Sequence, residues 1–150
     1  MKKLLSFTLT LILLVSLVTP AFAVEQSPVV FSQDTVLENG ITVIDEVIDI
    51  SNARSTDKSY VRSRTFKDGD TVVAIIAITA TFRYDGSSVS VVRKAVTQAD
   101  TYDGWEYVQN SFTSSGGTVT LNARLTKWLI LNTSFTMTLS CDKDGNISYT

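Results

Sequence analysis

From Ile78 to Tyr84 the chain alternates, with Ile78, Ala80 and Phe82 set against Thr79, Thr81 and Arg83, while the preceding residues Val72 to Ala77 are apolar on both sides. A period of two marks a strand with one buried face, and a run apolar on both sides marks a strand covered twice. "TVVAIIAITATFRY" therefore predicts a central strand of a sheet or sandwich. It is too short for a transmembrane helix, which needs roughly 20 apolar residues. A central position also hides "VVAIIAI" from edge pairing with another chain.

The same period recurs along most of the sequence. "TVTLNARLT" places Val119, Leu121, Ala123 and Leu125 on one face and Thr120, Asn122, Arg124 and Thr126 on the other. Phe135, Met137, Leu139 and Cys141 alternate with Thr136, Thr138 and Ser140. Ile41 to Ile50, Tyr60 to Phe66 and Trp105 to Phe112 are further strand candidates, rich in β-branched and aromatic residues. Lys67-Asp68-Gly69-Asp70 and Ser114-Ser115-Gly116-Gly117 punctuate them as turns, and a tight connection is expected near Leu129 to Asn132. Asp85-Gly86, between two alternating runs, is a strong hairpin signal because both residues tolerate the positive φ of a type I′ turn. Only "VVRKAVTQAD" admits a helix, and it is read as strand followed by loop. The expected fold is all-β: an antiparallel β-sandwich of about seven or eight strands, of immunoglobulin-like or related topology. Val24 to Val36, where Pro28, Ser and Gln mix with a short apolar run, is expected to be a loosely ordered leading segment before a single domain over 37–150.

The N-terminus changes the picture of where this domain works. "MKKLLSFTLTLILLVSLVTPAFA" joins basic Lys2 and Lys3, an apolar run from Leu4 to Val18, and Ala21-Phe22-Ala23, the three parts of an export signal over residues 1–23. Val24 rather than cysteine follows the cleavage point, so no lipid attachment is expected, and no stable membrane anchor after cleavage. The expected product is secreted and extracellular. Taking Lys2 and Lys3 from the 13 basic residues leaves 11 against 15 acidic ones, a net charge near −4. Such a chain is a poor match for nucleic acid, whose binding depends on basic side chains neutralising phosphates. One cysteine, Cys141, permits no internal disulfide, and its place in the alternation assigns it to an apolar face as a small hydrophobe.

Candidate chemistry is sparse. The sequence has no histidine, which removes the usual Ser and Cys triads and most zinc sites. The run "CDKDGNISYT" tempts a calcium reading, but an EF-hand loop wants Gly at its sixth position and Glu at its twelfth. Counting from Asp142, Ile147 is sixth and the sequence stops first, so Asp144-Gly145 is expected to be a hairpin turn. No metal and no cofactor is expected. Asp100, Asp103 and Glu106 in "ADTYDGWEY" are the candidates for two-carboxylate hydrolysis, against their reading as solvated loop acids. Tyr102, Trp105 and Tyr107, with Trp128 further on, are the candidates for stacking on a sugar face. By alternation Trp105 and Tyr107 share a face opposite Val108 and Phe112, so one of the two pairs should point away from the core.

Charge is also uneven. Val24 to Ala53 holds six acids and no bases, whereas Arg54 to Lys67 holds five bases and one acid. If Ile41–Ile50 and Tyr60–Phe66 form a hairpin, Asp45, Glu46 and Asp49 meet Arg62 and Arg64 as exposed cross-strand pairs, each contributing about 0–1 kcal/mol. The alternative is that Arg62 and Arg64 bind an anionic polymer of the cell wall.

"TATFRYDGSSVSV", "YDGWEY", "TVTLNARLTKW" and "TMTLSCDKDGNIS" together resemble an uncharacterised family of small secreted β-sandwich proteins from Gram-positive, Firmicutes-type gut bacteria. The shared features are a strand ending T-F-x-Y-D-G, a later Gly-Trp, and a last hairpin of D-K-x-G type, over Ala80 to Ser148. The resemblance implies a β-sandwich and a secreted location, and no activity. These residues lead to three expectations: a non-catalytic binding domain for a protein or other partner, a glycan or cell-wall binding module, and a small hydrolase.

Overall fold

A computed structural model describes residues 28–52, 56–128 and 131–150; the expected export signal over 1–23, Arg54, and Leu129 of the expected tight connection lie outside them. The described chain is all strand and turn. Five strands, β1 (Val29–Val36), β2 (Ile41–Asp49), β3 (Asp57–Asp68), β4 (Thr71–Tyr84) and β5 (Val89–Thr101), form one antiparallel sheet in chain order. Four more, β6 (Trp105–Ser115), β7 (Thr118–Lys127), β8 (Leu131–Cys141) and β9 (Ile147–Tyr149), form the second. The sheets stack as a β-sandwich. Every hydrogen-bonded neighbour is a chain neighbour, so each sheet is a simple meander and the Greek-key order of an immunoglobulin domain is not present.

The alternation builds the core directly. The second sheet contributes Val119, Leu121, Ala123 and Leu125 from β7 with Met137, Leu139 and Cys141 from β8. Against them lie Val47, Phe66, Ile76, Ile78 and Phe82 of the first sheet, each with no exposed surface. Covering one such side chain stabilises the fold by about 1.5–3 kcal/mol relative to leaving it in water. β4 lies between β3 and β5, the interior position its sequence predicts, although Val72 and Ile75 on its other face are only partly buried. Cys141 is buried at 5% exposure, and burial, with the charge of Asp142, raises its thiol pKa although Lys58 opposes the shift.

Three expectations change. The leading segment is not loose from Val29 onward: it is β1, an edge strand paired with β2, with Phe31 stacked on Tyr149 at 4.3 Å between ring centroids. Most of its side chains remain exposed, which is why it lacks an apolar period. The stretch expected to run from strand into loop is strand throughout, as β5. Its register shifts leave Val92 and Thr97 without partners on β4, and these two bulges break the alternation. In β6 a third bulge at Asn110 resolves the choice between two faces. Trp105 and Tyr107 point to the core before it and Phe112 after it, so neither aromatic face is turned wholly away.

The two sheets are joined at Tyr102–Gly104, where Asp103 and Gly104 adopt positive φ (54° and 76°). Further along the same side Lys94 of β5 donates from Nζ to the Phe112 carbonyl of β6 (2.9 Å) and lies 4.9 Å from its ring centroid.

Candidate functional site

On β3 the inward face reads Tyr60, Arg62, Arg64, Phe66, two cations between two aromatics. The register of β2 sets Asp45 opposite Arg64. Arg62 Nε donates to Asp45 Oδ1 (2.9 Å) and its Nη2 to Oδ2, while Arg64 Nε also donates to Oδ2 (2.8 Å). Of the three acids expected to meet these arginines only Asp45 does, with Glu46 opposite Ser63 and Asp49 opposite Tyr60, and its pair with Arg62 is buried rather than exposed: Arg62 is 2% exposed and Asp45 8%. The anionic-polymer reading of Arg62 loses the open surface it needs, since Arg62 is buried.

What Arg62 and Arg64 do is cap a strand edge. β9 pairs with β8 only at Leu139 to Cys141, although β8 begins at Leu131. Thr138 N–H donates to Thr150 O, the last bond on that side. Beyond it the outward main-chain groups of β8 lack a strand partner, and an uncompensated buried carbonyl would cost about 1–3 kcal/mol. Arg62 Nη1 donates to the carbonyls of Thr138 (2.7 Å) and Thr150 (2.6 Å), and Arg64 Nη1 to that of Thr136 (2.7 Å). The two guanidiniums substitute for strand and tie the first sheet to the second.

Burial alone would raise the Asp45 pKa. The hydrogen bond from Arg62 and the charges of Arg64 and Arg62 outweigh that and hold the carboxyl below its ordinary value. Burial lowers the Arg64 pKa while Asp45 opposes it.

Beside this cluster lies a cleft of about 430 Å³ between β1 and the free part of β8, a volume in the range of ligand sites. Phe31, Leu37, Val43, Phe66, Phe135 and Tyr149 supply its apolar wall, with Asp45, Arg62 and Arg64 on its floor. Gln33, Thr35 and Ser134 also line it and are exposed, so it opens to solvent there. Asn39 Nδ2 donates to Thr133 Oγ1 (2.8 Å) and links the β1–β2 turn to β8 at the far end.

The aromatic candidates do not come together as a stacking platform. Trp105 is a core residue at 4% exposure, with its indole Nε1 buried and unpaired. Tyr107 is half-buried, its hydroxyl donating to Gln109 Oε1 (3.2 Å) and its pKa raised by burial. Tyr102 is exposed at the corner between sheets. Trp128, at 78% exposure and positive φ (50°), stands near Gly104, with Lys127 Nζ 5.4 Å from its ring centroid. Asp100, Asp103 and Glu106 are exposed and none lines the cleft. Asp142 accepts from the N–H groups of Asp144 and Asn146 and from Asn146 Nδ2, which makes "DKDGN" the hairpin turn its sequence predicts. Among the described residues no cluster of three or more Cys, Asp or Glu is arranged to hold a metal.

Of the sequence candidates only Arg62 and Arg64 reach the cleft. Phe31, Leu37, Phe135 and Tyr149 were not singled out, because they come from strands far apart in sequence and carry no shared local pattern. Comparison with known proteins adds nothing to this geometry: no family model, no curated protein and no solved structure matches the chain.

Proposed function

We propose that this chain is a secreted, non-catalytic binding domain whose ligand seats in the cleft between β1 and β8. The carrying observation is the cleft itself: an apolar wall over a floor where two arginines face a single aspartate. Apolar lining with a few placed polar groups is the usual make-up of a binding site. Secretion rests on the three-part signal of residues 1–23, and the resemblance to small proteins of Gram-positive gut bacteria agrees with it. The hydrolase reading draws nothing from this cleft, since Asp100, Asp103 and Glu106 do not line it.

A glycan or cell-wall reading keeps one observation in its favour, the exposure of Trp128 and Tyr102 at the other side of the molecule. Intact chain, Thr35→Trp and Trp128→Ala, each confirmed folded, separate the two on peptide and glycan arrays and on insoluble cell wall. Thr35→Trp puts a large ring into the cleft mouth. Binding lost only in Thr35→Trp is the expected result; binding lost only in Trp128→Ala, or none that depends on the cleft, overturns the proposal.

A further inference from the structure

Resting on that reading of the cleft, we infer that its ligand is an extended segment of a partner protein, which adds to β8 as an in-line continuation of β9. In an antiparallel ladder the main-chain groups of successive residues point alternately to opposite sides. The register of β8 with β7 and β9 turns those of Asn132, Ser134, Thr136 and Thr138 toward the cleft. Thr138 is satisfied by Thr150 and Arg62, and the Thr136 carbonyl by Arg64. The Thr136 N–H and both groups of Ser134 and Asn132 remain, an open row of donors and acceptors over five residues. At about 3.3–3.4 Å per residue that row is roughly 17 Å long. A free strand edge beside an apolar groove is the geometry of strand addition, in which main-chain bonds give affinity and alternate side chains fill pockets.

The lane is defined above as well as beside. β1 overhangs it, so every second side chain of an added strand would turn into the cleft and meet Phe31, Leu37, Val43 and Phe135. Charge complementarity specifies one of them. Arg64 uses Nε on Asp45 and Nη1 on Thr136, and its Nη2 has no partner among the described residues. Arg62 is fully engaged by Asp45, Thr138 and Thr150, so the free Nη2 of Arg64 is the donor left for an anionic acceptor. The occupant therefore alternates, with apolar residues inward and an acidic residue at the inward position nearest Arg64. No described strand of this chain is free to serve, since all nine are already paired in sheets. A donor from another protein is distinguished from a second copy, whose own β8 edge is equally open, by the acidic inward residue that Arg64 calls for.

The probe is the capped heptapeptide Thr-Glu-Thr-Val-Thr-Val-Thr, which spans the open row with one residue beyond each end. It is tested on the intact chain in trans and, separately, without its leading Thr, appended directly after Thr150, whose outward side chain leaves the Glu and both Val of the added strand facing inward. The expected result is slowing of Ser134 and Thr136 amide exchange by about tenfold or more in the appended form. In trans, binding should be lost in Thr35→Trp and weakened about fivefold to tenfold in Ser134→Pro, which removes one lane-facing N–H and spares the β7 ladder. An appended strand that leaves those amides unprotected overturns the inference, because the lane then accepts no strand at the highest local concentration. Cleft-dependent binding on the arrays that is indifferent to Ser134→Pro, or is shown only to glycans, also overturns it while leaving the cleft reading standing. If the parent chain alone dimerises and protects the same two amides, the occupant is a second copy and the assignment to a partner fails. Array binding that ignores Thr35→Trp sinks both readings together.

Discussion

Arg62 shows how a single side chain comes to have a role that its sequence neighbourhood hides. "YVRSRTF" alternates as a strand should, and the eye places charged Arg62 and Arg64 on the outer face, yet they share the inner face with Tyr60 and Phe66. Burying an arginine is tolerable here because four hydrogen bonds to a carboxylate and to main-chain carbonyls replace its water. That compensation comes from β8 and Thr150, residues more than seventy positions away, so it was not legible locally. Arg62→Met should lower stability by about 1–3 kcal/mol in urea unfolding, since it leaves Asp45 to Arg64 alone and takes the donor from the Thr138 carbonyl. Asp45 also sets an acid limit. Its folded pKa lies below the ordinary 3.8, so its contribution is present above that value and is lost as pH falls through the folded pKa. The urea midpoint of the parent should therefore fall below about pH 4, and Asp45→Asn should flatten that part of the curve. Trp105 was legible only as a choice between core and surface. Because it is core, Trp105→Ala should cost about 3–5 kcal/mol, read by chemical denaturation.

At the scale of elements, most of the fold was legible. The alternating runs that became β4, β7 and β8 and the Asp-Gly turns carry their own local chemistry, and each stands where the period of two placed it. The elements that departed from expectation did so for one physical reason. Bulges at Val92, Thr97 and Asn110 insert an unpaired residue, and one inserted residue moves every later side chain to the other face. β1 escaped for another: an edge strand covered on part of one face needs no apolar period. The β8–β9 hairpin offers a test at this scale. Gly145 has φ +86°, and a Cβ there would run into the ring of Tyr84. Gly145→Ala should destabilise by about 1–3 kcal/mol, measured by thermal unfolding, because it combines left-handed backbone strain with a forced movement of Tyr84. β9 holds Tyr149 against Phe31, so the same substitution should loosen the wall of the cleft.

For the molecule as a whole, the cleft follows from chain order. Nine strands wound as two consecutive meanders bring the first and last together, and the pairing stops before the last strand reaches the length of its neighbour. No single segment encodes that gap, which is why the sequence pointed to Tyr102, Trp105 and Tyr107 instead. The same chain order has a consequence for how the molecule forms. Every ladder joins strands adjacent in sequence, so relative contact order is low for a sandwich, and the folding rate should exceed that of Greek-key sandwiches of similar length. The seam between β1–β3 and β8–β9 is the exception: Arg62 to Thr150 closes a long loop and should be made after the rate-limiting barrier. Stopped-flow chevrons should then show Arg62→Met accelerating unfolding with little change in folding rate, a φ-value near zero, while Leu121→Ala between β6 and β8 slows folding. The side of the molecule proposed to receive a partner would be the last to close and the first to open.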